Sequence, residues 1–305
     1  MYYIGFDMSL LLRQVNRFKR LYFLMQASTY TWQGPDSSTL FARHWPVTDP
    51  RAVVVLVHGI GEHTGRYEHV GQYFYSRGVA LIGADLAGHG RSSGKRGHVG
   101  DYEHYLDHIE QTITEARAFY PEAPMILYGH SMGGNLALNY LLSRRPTHLA
   151  GVVASAPQIK LAFEPPKAIL AVARLLRRVL PAVTRDTELK VEHISRDPEV
   201  VAAYQADELV HGDVSFNLAV SLLNRSDYIL QQHDELTAPL LLMHGTADQI
   251  TSAEGSRALA EQAQGDIALK LWEGLYHEIH NEPEQQEVLT YTCDWILQKA
   301  RALST

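Results

Sequence analysis

The apolar run Met125–Tyr128 passes through Gly129-His130-Ser131-Met132-Gly133 directly into a helical pattern, Asn135–Leu142. A serine flanked at two residues by glycines, on a strand-to-helix turn, is an elbow that lifts its hydroxyl clear of a sheet. The small flanking residues allow a bend that bulkier ones would block. The helix that follows turns its N-terminal N–H groups back toward the same point, which suits a developing negative charge. The junction therefore implies a parallel sheet with a nucleophilic serine, Ser131, at its edge.

The rest of the chain supplies such a sheet. Residues 28–32 and 39–45 read as a hairpin across a Gly-Pro-Asp-Ser turn, and Ala52–Val57 is a continuous apolar run typical of a parallel strand covered on both faces. Helical and strand patterns then alternate: 67–77 helix, 79–84 strand, 101–119 helix, 125–128 strand, 135–143 helix and 149–154 strand. Alternation resumes with strand 239–243, helix 252–263, strand 267–272 and a terminal helix 283–301. This order predicts an α/β fold with a mostly parallel eight-stranded sheet and helices on both faces. Residues 159–235 break the alternation, with proline pairs, short helical patterns and no convincing strand. They are expected to form a helical cap (lid) over the carboxyl edge of the sheet, where ligands bind in such folds. The core is then residues 28–158 and 236–305.

Residues 1–27 stand apart. Leu11, Val15, Phe18, Tyr22 and Met25 recur at helical spacing among Arg13, Arg17, Lys19 and Arg20. This basic amphipathic pattern fits an interfacial helix, a helix packed on the body, or a leader upstream of a start at Met8. Charges interrupt every apolar run, so it reads neither as a signal peptide nor as a membrane span. The formal net charge of −7 and the lack of a basic, aromatic-interleaved stripe in the body argue against nucleic-acid binding. One cysteine, Cys293, excludes an intramolecular disulfide framework and fits a reducing, cytoplasmic compartment.

A serine hydroxyl needs a base and a group that orients the base. In this fold the order is Ser, then Asp or Glu, then His. Asp248 follows the strand 239–243 within His244-Gly-Thr-Ala-Asp248, and His277 follows the next strand within Glu273-Gly-Leu-Tyr-His277. Both leave consecutive strand ends at the edge where Ser131 lies. Asp234 and Asp266 compete with Asp248, and His280 with His277; the strand-end positions favour Asp248 and His277. Backbone N–H groups of Met132 and of Ile60, in His58-Gly-Ile-Gly61, are the expected oxyanion donors. Sixteen histidines call for a check of metal spacing, but no H-E-x-x-H or similarly spaced ligand set is present. No metal and no cofactor are expected.

With these residues in place, the chain resembles α/β-hydrolases of the monoacylglycerol lipase and lysophospholipase group. The resemblance rests on His58-Gly-Ile-Gly-Glu-His-Thr-Gly-Arg-Tyr67, Asp85-Leu-Ala-Gly-His-Gly-Arg-Ser-Ser-Gly94, Gly129-His-Ser-Met-Gly-Gly134 and Tyr276-His-Glu-Ile-His280, in order. It implies cleavage of a monoacyl lipid by a Ser131–Asp248–His277 triad under a mobile cap. It also implies that Glu62, Arg66 and His280 shape a polar head-group pocket with Tyr204 nearby, although Glu62 and Arg66 could equally be a loop-bracing ion pair. Lysophospholipase or general carboxylesterase activity is the near alternative, a proline-type aminopeptidase a further one, and a non-catalytic binding protein of the same fold the last. In the cap, Leu170, Ala173, Leu176 and Leu180 share a helix face near Arg174, Arg177 and Arg178. Such a helix either packs inward as a lid or meets a membrane surface. Peripheral membrane contact, through the cap or the N-terminal helix, follows as an expectation. The sequence specifies no oligomeric state.

Overall fold

The computed structural model describes residues 27–232 and 236–302. The amphipathic pattern of residues 11–25 and the rival Asp234 lie outside them. Eight strands form one sheet in the order β1-β2-β4-β3-β5-β6-β9-β10. They are β1 Ser28–Gln33, β2 Thr39–Trp45, β3 Ala52–Val57, β4 Val79–Ala84, β5 Met125–His130, β6 Leu149–Ser155, β9 Leu240–Gly245 and β10 Ile267–Trp272. β2 runs antiparallel to both its neighbours, β1 and β4, and every other pairing in the sheet is parallel. Every residue of β3, β4, β5, β6 and β9 is buried. Strands covered on both faces need unbroken apolar runs, which is the pattern these segments carry.

Two cores flank the sheet. On one face pack α2 (Tyr102–Phe119), α3 (Met132–Arg144) and α7 (Ala253–Gln262), through residues such as Leu106, Leu138 and Leu259. On the other, α1 (Glu68–Ser76) and α8 (Gln285–Ala302) bury Phe74, Val288 and Ile296. Each fully buried leucine or valine contributes roughly 1.5–3 kcal/mol by leaving water. Among the described residues, no helix is long and apolar enough to cross a membrane.

β6 and β9 are sheet neighbours, yet residues 156–239 separate them in the chain. This insertion holds α4 (Lys167–Val179), α5 (Pro198–Ala206) and α6 (Phe216–Gln231). It also holds a small antiparallel pair, β7 (Thr184–Asp186) with β8 (Asp213–Ser215). The absence of strands expected from sequence is thus corrected. Three residues per strand are too few to show a period of two, and the pairing spans a gap no local pattern reports. α4 also differs from expectation. Leu170, Ala173 and Leu176 are half-buried, while Leu180 is exposed and a second apolar row, Ile169, Val172, Leu175 and Val179, faces outward.

Candidate active site

Register brings the elements of the site together. Val57 at the end of β3 is level with Gly129 in β5, and His130 is level with Ser155 in β6. The loops after β3, β5, β9 and β10 therefore leave the same edge of the sheet. Ser131 sits at φ 55°, ψ −116°, a conformation that costs a non-glycine residue energy and persists because its surroundings fix it. Ser155 O accepts from Ser131 N at 2.9 Å, and Ser131 O accepts from Asn135 N and Gln158 N. The bend requires its glycines. A Cβ on Gly129 would come 2.1 Å from Gly133 O, and one on Gly133 would come 2.1 Å from Val57 O.

Ser131 Oγ lies 2.9 Å from His277 Nε2, and His277 Nδ1 lies 2.7 Å from Asp248 Oδ2. With Nδ1–H donating to the carboxylate, Nε2 is free to accept the serine proton. All three side chains are buried or nearly so. Asp248 Oδ1 also accepts from Ile250 N and Thr251 N, and Oδ2 accepts from Thr251 Oγ1. His244 supplies another contact, its Nε2 standing 3.2 Å from Oδ2 while its Nδ1 pairs with Ser256 Oγ. Burial alone would raise the Asp248 pKa. The charge of His277, with hydrogen bonds from His244 and His277, outweighs burial and holds the carboxyl far below its usual range. Burial alone would lower the His277 pKa, but the charge of Asp248 and its hydrogen bond raise it above the ordinary imidazole value.

Met132 opens α3, so its N–H is among those a helix leaves without an intrahelical acceptor. The loop carrying Ile60 lies against the serine: a Cβ on Gly59 would stand 3.3 Å from Ser131 Cβ. His58, fully buried, fixes this loop by accepting from Leu86 N at Nε2 and donating from Nδ1 to Gly59 O. Ile60 also borders a cavity of about 220 Å³ beneath the insertion, shared with Tyr204, Asp207, His211 and Asp186.

Glu62 and Arg66, expected near a head-group pocket, belong to a buried network. Glu62 accepts from Gly59 N at 2.6 Å, Tyr67 Oη at 2.8 Å and Arg66 at 2.8 Å. Arg66 also grips both oxygens of Glu278, at 2.6 and 2.7 Å, and its guanidinium lies 4.6 Å from the centre of the Tyr204 ring. The Glu62, Arg66 and Glu278 side chains are 3%, 9% and 4% exposed. Burial would raise the Glu62 pKa, but Arg66 draws it down to about 2. Glu62, Arg66 and Glu278 thus tie the loop after β3 to the loop after β10. His280 is fully buried, stacked 4.9 Å from Tyr67 and edge-on to His130. The 3₁₀ turn Ile279–Asn281 folds it inward. Tyr204 lines the cavity that Ile60 borders.

The rival aspartate Asp266 precedes β10, at the opposite end of the strand from His277, and pairs with Lys299. Sequence reasoning gave no role to Thr251, His244 or Glu278. The last two lie inside quoted motifs, but their partners are visible only in three dimensions.

The sequence profile described as serine aminopeptidase, S33, matches residues 48–284. A monoacylglycerol lipase of Mycolicibacterium smegmatis is 41% identical over 254 residues, 83% of this chain and 90% of that one. The chain belongs to this α/β-hydrolase family, in the monoacylglycerol lipase group. The rat monoglyceride lipase is 33% identical to this α/β-hydrolase over 251 residues, covering 81% and 82% of the two chains. Among solved structures, the Paleococcus ferrophilus monoacylglycerol lipase superposes with a TM-score of 0.79 at 34% identity, over 85% of this chain and 99% of that one.

Proposed function

We propose that this α/β-hydrolase is a serine esterase that cleaves monoacylglycerol to fatty acid and glycerol through an acyl-enzyme. The observation that carries the reading is the unbroken hydrogen-bonded series Ser131–His277–Asp248 beside the start of α3. The monoacylglycerol lipases among its relatives support the substrate.

In this mechanism His277 Nε2 takes the Ser131 proton as Oγ attacks the ester carbonyl. The N–H groups of Ile60 and Met132 hold the oxyanion, and Asp248 stabilises the imidazolium. Collapse breaks the ester bond, and His277 gives its proton to the departing glycerol oxygen. Water, losing a proton to His277, then attacks the acyl group and frees Ser131 and the fatty acid.

Residues 159–235 serve as the cap, and α4 is its contact with a lipid surface. Ile169, Val172, Leu175 and Val179 are 54–63% exposed, as is Phe163 at 60%, and Arg174, Arg177 and Arg178 accompany them. An apolar row rimmed by arginines fits an anionic membrane interface. Such peripheral contact would bring the enzyme to its substrate.

A substrate panel tests the reading. Monooleoylglycerol is expected to be cleaved faster than lysophosphatidylcholine, nitrophenyl acetate or a proline naphthylamide. Preference for lysophosphatidylcholine would favour a phospholipase, as the Bacillus subtilis relative is named. Preference for the naphthylamide would favour the peptidase chemistry in the family's description.

A further inference from the structure

The insertion grips the loop after β3 at two points. His63 Nε2 lies 2.8 Å from Asp207 Oδ2, where Asp207 caps the C-terminal end of α5. His63 Nδ1 accepts from Gly65 N, so the proton is on Nε2 and His63 donates to the carboxylate. The other Asp207 oxygen accepts from Leu209 N at 2.9 Å. The His63 side chain is 6% exposed and that of Asp207 29%, so the bond runs from the interior to the edge of the insertion. Four residues further along the insertion, His211 N donates to Gly61 O at 2.9 Å. Contact there is close enough that a Cβ on Gly61 would come 2.2 Å from His211 O.

The Ile60 N–H lies just before these attachments in the chain. The peptide before it is held from the core, by Gly59 N donating to Glu62 Oε1. The Gly61–Glu62 peptide, two further along, is held from the insertion through Gly61 O. An oxyanion donor is effective only when its direction is fixed before charge develops, and removing one donor entirely costs about 10²–10³ in kcat.

We propose that Asp207 is a positioning residue for the oxyanion hole, acting through His63 to hold the loop that carries the Ile60 N–H. The proposal rests on the assignment of Ile60 as an oxyanion donor in the proposed esterase. It makes the insertion part of the catalytic framework as well as a cover: the segment from Asp207 to His211 fixes the loop that Ser131 faces. Asp207 touches no reacting atom, and its effect is confined to geometry.

The test uses a water-soluble ester, nitrophenyl butyrate, so that membrane binding does not enter. Asp207→Ser keeps an acceptor for Leu209 N but is too short to reach His63; Asp207→Asn keeps one acceptor oxygen where Asp207 has two, so it can serve His63 or Leu209 N but not both. Asp207→Ser is expected to lower kcat about tenfold, part of the cost of losing a whole donor, with KM within about twofold. Its affinity for a trifluoromethyl ketone inhibitor should weaken by a similar factor, with the melting temperature little changed. Asp207→Asn should fall between Asp207→Ser and the wild type in kcat. His63→Ala, which also removes the acceptor for Gly65 N, should lower kcat at least as much as Asp207→Ser, and the double variant should be no worse than His63→Ala, because the His63–Asp207 contact is then already broken. Unchanged kcat and inhibitor affinity in Asp207→Ser would overturn the proposal. Losses that multiply in the double variant, or that track a fall in melting temperature and spare inhibitor affinity, would do the same. A folded wild-type protein inactive on the ester would overturn the esterase reading, and the positioning role with it.

Discussion

His277 Nδ1 stands 2.7 Å from Asp248 Oδ2, and each group stabilises the charge of the other. The pairing has a kinetic consequence. His277 can accept the Ser131 proton only when neutral, and its pKa is raised. The rate kcat/KM on a nitrophenyl ester should therefore rise with pH through an apparent pKa above about 6.5, the ordinary imidazole value. For stability the sign is opposite. The folded state holds this proton more tightly than the unfolded chain, so the contribution is full below the ordinary imidazole pKa. It is lost as pH rises through the folded value.

Asp248→Asn removes the charge but preserves the shape. With an amide in place, burial dominates His277, and the acidic limb of the pH profile should move to lower pH. The imidazole also loses its preferred tautomer and the stabilisation of its cation. A fall in kcat of about 10⁴ is expected, measured with the same ester at the pH optimum.

Arg66→Ala distinguishes loop bracing from head-group binding. Removing the guanidinium leaves Glu62 and Glu278 buried without their cation, and breaking a buried pair in this way costs about 3–5 kcal/mol. Urea unfolding should show a loss of that order. If Arg66 bound the glycerol head directly, KM would rise while the unfolding midpoint stayed in place.

The outward row of α4 provides a binding test. Val172→Glu with Leu175→Glu should abolish most co-flotation with anionic phosphatidylglycerol vesicles, since each buried apolar side chain is worth roughly 1.5–3 kcal/mol. Hydrolysis of nitrophenyl butyrate, which needs no membrane, should be retained. Equal flotation of the variant and the wild-type protein would remove α4 as the contact.

Gly133→Ala tests the elbow. The added methyl would meet Val57 O at 2.1 Å, a backbone atom that cannot turn aside. Loss of soluble, folded protein is expected, whereas Gly274→Ala, with no atom within 4 Å of the added Cβ but φ at 74°, should cost only the modest strain of that φ.

The parts legible in sequence were those written locally. Ala52–Val57 reads as a doubly covered strand because every side chain in it is apolar. Asp248 and His277 stood out because strand ends in a parallel sheet share an edge. The β7–β8 pair was invisible because three-residue strands carry no period. The outer row of α4 was missed because a helix that is apolar around much of its surface offers two faces, and sequence does not say which packs. Glu62 and Arg66 left two roles open until Glu278, 212 residues from Arg66, was seen to complete their network.

Labelling by a fluorophosphonate, read by intact mass, tests the central claim most directly. The folded wild-type protein should gain one adduct per chain, located on Ser131, and lose monooleoylglycerol hydrolysis in step. Ser131→Ala should take up none and release no glycerol. An unlabelled, folded wild-type protein, or a Ser131→Ala variant that still turns over monooleoylglycerol at the wild-type rate, would contradict the assignment.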